Sequence, residues 1–367
     1  MQRTKPPFRA DHVGSLLRPK VLHEARARCA NGEITPQALK DIEDREIERV
    51  IKKQEDVGLK SITDGEFRRS WWHLDFLWGL DGVERYIMGE GVAFTGTKTR
   101  AEGARVTGKV GFSSHPMIDH FKFVQAHTRQ TPKITIPAPS ALYGRTGRAA
   151  VPESIYPNLD NFFTDLAEAY RKAVRAFADA GCRYLQLDEV FIAMLCDPKY
   201  REMYKARGDD PDRIGEIYGD LINAAMSDIP SDMVISMHLC RGNYKSTFMG
   251  SGGYEPVAKV LFERIKVHGY FMEYDTDRAG GFEPLRLTPK DRQVVLGLVT
   301  TKSGTMESKD AIKRRIEEAT KYIDLQQLCL SGQCGFASTE EGNVLTEEAQ
   351  WAKLKMIVEI ADEVWGK

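Results

Sequence analysis

Eight short stretches of the chain run apolar or alternate apolar with polar for a few residues and then stop on polar or reactive side chains. They are ADHVGSL (10–16), KSITDGE (60–66), KITIPAPS (133–140), YLQLDEV (184–190), VISMHLC (234–240), YFMEYD (270–275), VVLGLVTT (294–301) and LCLSGQCG (328–335). Most are separated by segments whose apolar residues recur at helical spacing, which is the signature of βα units. Thr35 reads as an N-cap before the first-turn Pro36, and Leu39, Ile42, Ile47, Val50 and Ile51 then fall on one side of a helix that ends near Gly58. A second helix starts at Asn158 and carries Leu159, Phe162, Leu166, Val174 and Phe177 before Gly181. A last one starts at Thr346 and carries Leu354, Ile357, Val358, Ala361 and Val364. Eight strands with intervening helices predict an α/β fold, a single (β/α)8 TIM barrel over residues 1–367, with the active site on the loops that follow the strands.

Two regions break the rhythm. From about 70 to 130, after the second strand, GVAFTGTKTRAEGARVTGKVGF alternates β-branched and polar residues around Gly96 and Gly103, which predicts an antiparallel hairpin inserted into the barrel. Residues 197–230 are charged and punctuated by prolines, and predict a helical elaboration over the barrel mouth. Clustered Trp71, Trp72 and Trp78 either line an apolar pocket or pin the insertion to the barrel; pinning is the simpler reading.

Charge changes the picture by exclusion. Lys and Arg total 52 against 53 Asp and Glu, so no basic field draws in nucleic acid or an anionic membrane, and a small molecule is the expected partner. No apolar run is long enough to span a bilayer and MQRTKPPFRADH has no signal-peptide core, which predicts a cytoplasmic protein. Six cysteines in so long a chain do not make a disulfide framework, so burial or metal ligation is their expected use. Cys182, Cys196 and Cys329 sit among apolar residues and read as buried small side chains. Oligomeric state is left open.

The candidate chemistry lies at the strand ends. His238 and Cys240 are spaced i, i+2, which at the end of a strand puts both side chains on one side of the backbone, with Gly242 turning the chain just beyond. Glu273 and Cys334 end later strands and are the natural further ligands. Two thiolates, an imidazole and a carboxylate make a tetrahedral zinc shell. His268, before Gly269, reads as a helix C-terminal histidine, and His115, His120 and His127 fall in the insertion without a partner at ligand spacing.

HVGSLLRP (12–19), TDGEFRR (63–69), LQLDEV (185–190), HLCRGN (238–243), EYD (273–275) and SGQCGF (331–336) together, in this order, resemble the motifs of the cobalamin-independent methionine synthase family, in its catalytic C-terminal barrel and short single-barrel relatives. The resemblance implies zinc on His238, Cys240, Glu273 and Cys334. It implies an S-methyltransferase of methionine biosynthesis, moving methyl from a methylated folate or similar donor to the thiol of homocysteine. It also implies that Gly14 and Ser15 meet the amino-acid carboxylate and that Glu66 and Asp188 face its ammonium, with Glu189 as the neighbouring acid. Read without the resemblance, Asp64, Glu66 and Asp188 equally suit loop capping or ion pairs to Arg68 and Arg69.

The chain departs from the family where a proton relay is expected. In place of an Asp-x-His pair after the seventh strand it reads GLVTTKSG, so Thr300 and Lys302 stand in those positions; Lys302 either protonates the leaving group or binds an anionic donor, and Lys302 and Asp188 are the candidate catalytic residues. The family's donor-site tryptophan has no equivalent in PAPSALYGR, where Tyr143 is the nearest aromatic. Three other functions remain open: an alkyltransferase using another thiol and another donor such as an epoxide, a non-catalytic zinc- or thiol-binding barrel, and a metal-free decarboxylase-type barrel.

Overall fold

The computed structural model describes residues 3–366. In chain order its strands are β1 (Ser61–Ile62), β2 (Asp81–Ile87), β3 (Ala93–Phe94), β4 (Thr97–Lys98), β5 (Glu102–Gly111), β6 (Thr131–Pro132), β7 (Ile134–Pro137), β8 (Tyr184–Glu189), β9 (Val234–Leu239), β10 (Gly269–Glu273), β11 (Gln293–Val299) and β12 (Leu328–Gly332). Six of them, β7 to β12, form one parallel sheet in sequential order. Nearly every residue of these strands is buried, as expected for a parallel sheet covered on both faces.

The helices that cover it start where their caps dictate. Thr35 Oγ1 accepts from Ala38 N at 3.1 Å and opens Pro36–Asp56, Asn158 Oδ1 accepts from Asp160 N at 2.8 Å and opens Leu159–Asp179, and Thr346 Oγ1 accepts from Ala349 N at 3.2 Å and opens Glu347–Trp365. Each buries the face its apolar spacing predicts, for example Phe162, Leu166, Val174 and Phe177 on the second. Among the described residues, no helix is long and apolar enough to cross a membrane.

The expected closed ring of eight strands is not present as a backbone ladder. β1 pairs with β6 as a separate two-stranded parallel sheet, and the N-terminal segment touches β12 through a single bridge, Ala10 to Leu330. Between the N-terminal segment and β1 the contacts are chiefly side-chain ones: Thr63 Oγ1 donates to Gly14 O at 2.7 Å and Ser61 Oγ to Asp11 Oδ1 at 2.7 Å. Gly14 sits at φ +137°, outside strand geometry, so the chain leaves the strand path there.

Between β1 and β6, β2 pairs antiparallel with β5, and β3 with β4. Trp71 Nε1 donates to Glu102 Oε2 at 2.7 Å and Trp78 Nε1 to Gly103 O at 3.1 Å, tying β5 to the segment after β1. Residues 197–230 form two helices, Pro198–Ala206 and Pro211–Ala225, opened by Asp197 and Asp210. The second does not cover the mouth: its Ile214, Tyr218, Leu221 and Ile222 face is buried in the helical layer. His268 also differs from expectation, standing at the entry to β10, where its Nδ1 accepts from Ile235 N at 3.0 Å.

Candidate metal centre and thiol site

β9 delivers His238 next to its last residue, with Cys240 just beyond, and the Cys240 amide donates to Glu189 O at 2.9 Å, extending strand geometry far enough to keep both side chains on one face. Glu273 is the last residue of β10, and Cys334 follows β12 by two positions. All four are buried, and one ligand atom from each lies within 4.8 Å of the others. The two sulfurs are 3.7 Å apart. Sulfurs each about 2.3 Å from a tetrahedral zinc lie about 3.8 Å apart, so the pair is already at ligand spacing. Both ring nitrogens of His238 are buried without a hydrogen-bond partner, a costly state unless something else fills the valence. The residues present therefore fit a zinc ion.

The electrostatics agree. The hydrogen bond between the two thiols holds Cys334 well below the usual thiol range and pushes Cys240 well above it, so the pair shares one proton. Burial works against charge on His238, but adjacent Cys334, Asp188 and Glu273 raise its affinity for a proton. Burial likewise opposes charge on Glu273, yet Lys302, Arg278 and His238 lower its pKa. Glu273 is also held in place: Oε1 accepts from Arg241 N at 2.9 Å, and Oε2 pairs with Arg278 at 2.6 Å.

His238, Cys240 and Cys334 open onto a small cavity of about 50 Å³ that Ser15, Glu66 and Asp188 also line. Glu66 stands at φ +61°, a conformation rare for a residue with a side chain, and Arg18 and Asp64 hold it there through Arg18 Nη2 to Glu66 O at 2.7 Å and Glu66 N to Asp64 Oδ1 at 2.8 Å. Its Oε1 accepts from Thr135 Oγ1 at 2.9 Å, while Oε2 is buried with no partner. Asp188 Oδ1 accepts from Gln186 at 2.7 Å, and burial pushes the carboxyl up to about 7, with His238 acting in the opposite direction. Two acids thus face the space beside the thiols.

Three expected residues stand elsewhere. Glu189 does not line this cavity: alternation along β8 turns it to the opposite face, where Ser140 Oγ and Ile192 N donate to its oxygens at 2.5 and 2.7 Å. Lys302 does not line it either; its Nζ is buried 3.8 Å from Asp275 Oδ2, behind Glu273. Gly14 lies beside the wall, with its carbonyl taken by Thr63, and a Cβ there would meet Thr135 Cγ2 at 2.8 Å. Sequence reasoning missed His73, Arg145 and Asn243, which do line the cavity. Asn243 Nδ2 donates to Gly335 O at 2.8 Å and joins the loops that carry Cys240 and Cys334. Its place inside HLCRGN was the available signal.

A family model described as cobalamin-independent synthase, catalytic domain, matches residues 8–363. The chain belongs to that family. The "Uncharacterized protein YxjH" of Bacillus subtilis (strain 168) is 51% identical over 366 residues, covering 99% of this chain and 96% of that protein. A 5-methyltetrahydropteroyltriglutamate–homocysteine methyltransferase of Bacillus cytotoxicus is 22% identical over 343 residues, covering 91% of this chain and 40% of that enzyme. Among solved structures, a putative vitamin-B12-independent methionine synthase from Listeria monocytogenes superposes with a TM-score of 0.80 at 42% identity, with all of both chains covered. Family membership thus brings a methyltransferase-like catalytic domain to the same fold that gathers the four ligand-type side chains.

Proposed function

We propose that the protein is a zinc-dependent S-methyltransferase that transfers a methyl group from a methylated folate or similar donor to the thiol of homocysteine, giving methionine. The observation that carries this is the convergence of His238, Cys240, Glu273 and Cys334 beside two buried acids. Zinc held there supplies one thing: it keeps a substrate sulfur as thiolate near neutral pH.

The chain's own residues do the rest. Glu66, with its free Oε2, attracts the ammonium of the amino acid, and the backbone around Ser15 meets its carboxylate. Together they fix the sulfur in one place, so that attack on the methyl carbon proceeds along a single line. The departing group needs a proton. Asp188, raised by burial and facing the cavity, is the carboxyl placed to hand one over, whereas Lys302 holds the negative charge of Asp275 and Glu273 in place.

The test is zinc quantitation together with a thioether assay, using homocysteine against other small thiols. Wild type should hold one zinc per chain. His238→Ala and Cys334→Ser should lose zinc affinity by roughly 100-fold or more and lose thioether formation with it. Full turnover in a zinc-free His238→Ala protein would end the proposal, and preference for another thiol would replace homocysteine in it.

A further inference from the structure

Besides His238, two polar side chains that line the metal cavity, His73 and Arg145, make no hydrogen bond or ion pair among the described residues. Both ring nitrogens of His73 are buried and make no hydrogen bond, and the ring is fixed by stacking on Trp72, with centroids 4.4 Å apart and planes 29° apart. Arg145 follows the short Ala141–Gly144 helix, and among the described residues no carboxylate or hydrogen-bond acceptor engages its guanidinium. Burial lowers Arg145 to about 10 and holds His73 well below the usual imidazole range, so at neutral pH the pair is one cation beside one neutral imidazole.

Arg145 also lines a second cavity of about 280 Å³, which meets the metal cavity along Arg145, Val190 and Met249. This space is apolar and adaptable, lined by Met88, Met194, Met203 and Phe191. Its other charged wall residue, the exposed Glu90, is occupied by Lys98 at 2.6 Å. Arg145, half-buried, is therefore the charge on this wall that no carboxylate offsets among the described residues, and an anionic ligand group would meet it with charge-assisted hydrogen bonds.

We infer that His73 and Arg145 form a receptor for a single anionic group on the methyl donor, whose apolar body fills the methionine-lined cavity. The inference rests on the thiol-methylation reading for the identity of its ligand as a donor. One cation suits one carboxylate or phosphate, and a chain of carboxylates would need several.

The test measures binding of 4-methylbenzoate, 4-methylphenyl phosphate and neutral 4-methylbenzamide to the zinc-loaded full chain by calorimetry. At least one anion should bind 10-fold or more tighter than the amide, and which one it is separates carboxylate from phosphate. Arg145→Met should abolish that preference with zinc content unchanged, Arg145→Lys should keep part of it, and His73→Phe, which preserves the stacking, should reduce it several-fold. Equal binding of all three probes to wild type overturns the inference, as does a preference that survives in Arg145→Met. If that variant does not fold, the wild-type comparison decides alone. Homocysteine is titrated in parallel into cobalt-substituted protein. A thiolate absorption band without anion preference removes only the receptor, and anion preference without the band removes only the thiol reading.

Discussion

Asp188 and Glu189 are consecutive, buried and both raised to about 7 by burial, yet only Asp188 faces the cavity. Glu189 serves structure, accepting from Ser140 and Ile192. This gives a prediction with a definite sign. Between about pH 4.5 and 7 the folded chain keeps a proton on Glu189 that the unfolded chain has released, so Glu189 makes stability fall as pH rises through that window. Glu189→Gln should flatten the dependence by about 1 kcal/mol per pH unit, read from urea midpoints at pH 5, 6 and 7 on metal-free samples of both proteins. Identical slopes would show that Glu189 is ionised in the fold. At this scale two members of the buried His-Cys-Glu-Cys cluster were legible, because His238 and Cys240 carry their period-two spacing in the sequence. His73 and Arg145 were not: their meaning lies in lacking partners, which only the tertiary arrangement reveals.

The loop after β9 shows what an element must do to hold ligands. Gly242 stands at φ +84°, and the chain folds back so that Met249 N and Gly250 N both donate to Arg241 O at 3.0 Å. A Cβ on Gly242 would lie 2.8 Å from Met249 Cγ and 3.0 Å from its Cβ. Gly242→Ala should cost about 2–4 kcal/mol, combining the left-handed backbone with overpacking, and should weaken zinc binding by moving Cys240. Gly208→Ala is the control: φ is +91° with nothing within 4 Å, so only the backbone cost of about 1–2 kcal/mol should appear. Equal losses in chemical denaturation would mean the loop gives way freely. The helices were readable from Thr35, Asn158 and Thr346 because caps act locally. The Pro211–Ala225 helix was misplaced over the mouth because composition says nothing about which layer receives an apolar face.

Across the whole molecule, the sheet order follows the chain order, so the order of strand-like segments revealed most of the architecture. The open seam between the N-terminal segment and β1 was not readable, since side-chain bonds such as Ser61 to Asp11 and Thr63 to Gly14 replace a backbone ladder there. A metal held by the proposed ligands would do something the sheet does not: it would tie the end of β10 to the loops after β9 and β12, with Cys240 and Cys334 separated by 94 positions. A zinc ion held by the proposed site would bind the folded arrangement, so its removal should destabilise the fold by mass action, about 4 kcal/mol when free zinc exceeds Kd by about 1,000-fold. For a chain of 367 residues this corresponds to a fall in Tm of about 5 °C, recovered by zinc and not by magnesium, which prefers oxygen donors. Cys334→Ser should start near the chelated wild-type value and respond little to chelator. Hydrogen exchange should quicken first in the loops carrying Cys240 and Cys334, where Asn243 and the two sulfurs make the join. A wild-type protein that loses its zinc with no change in Tm or in loop exchange would mean that these loops are held by packing alone.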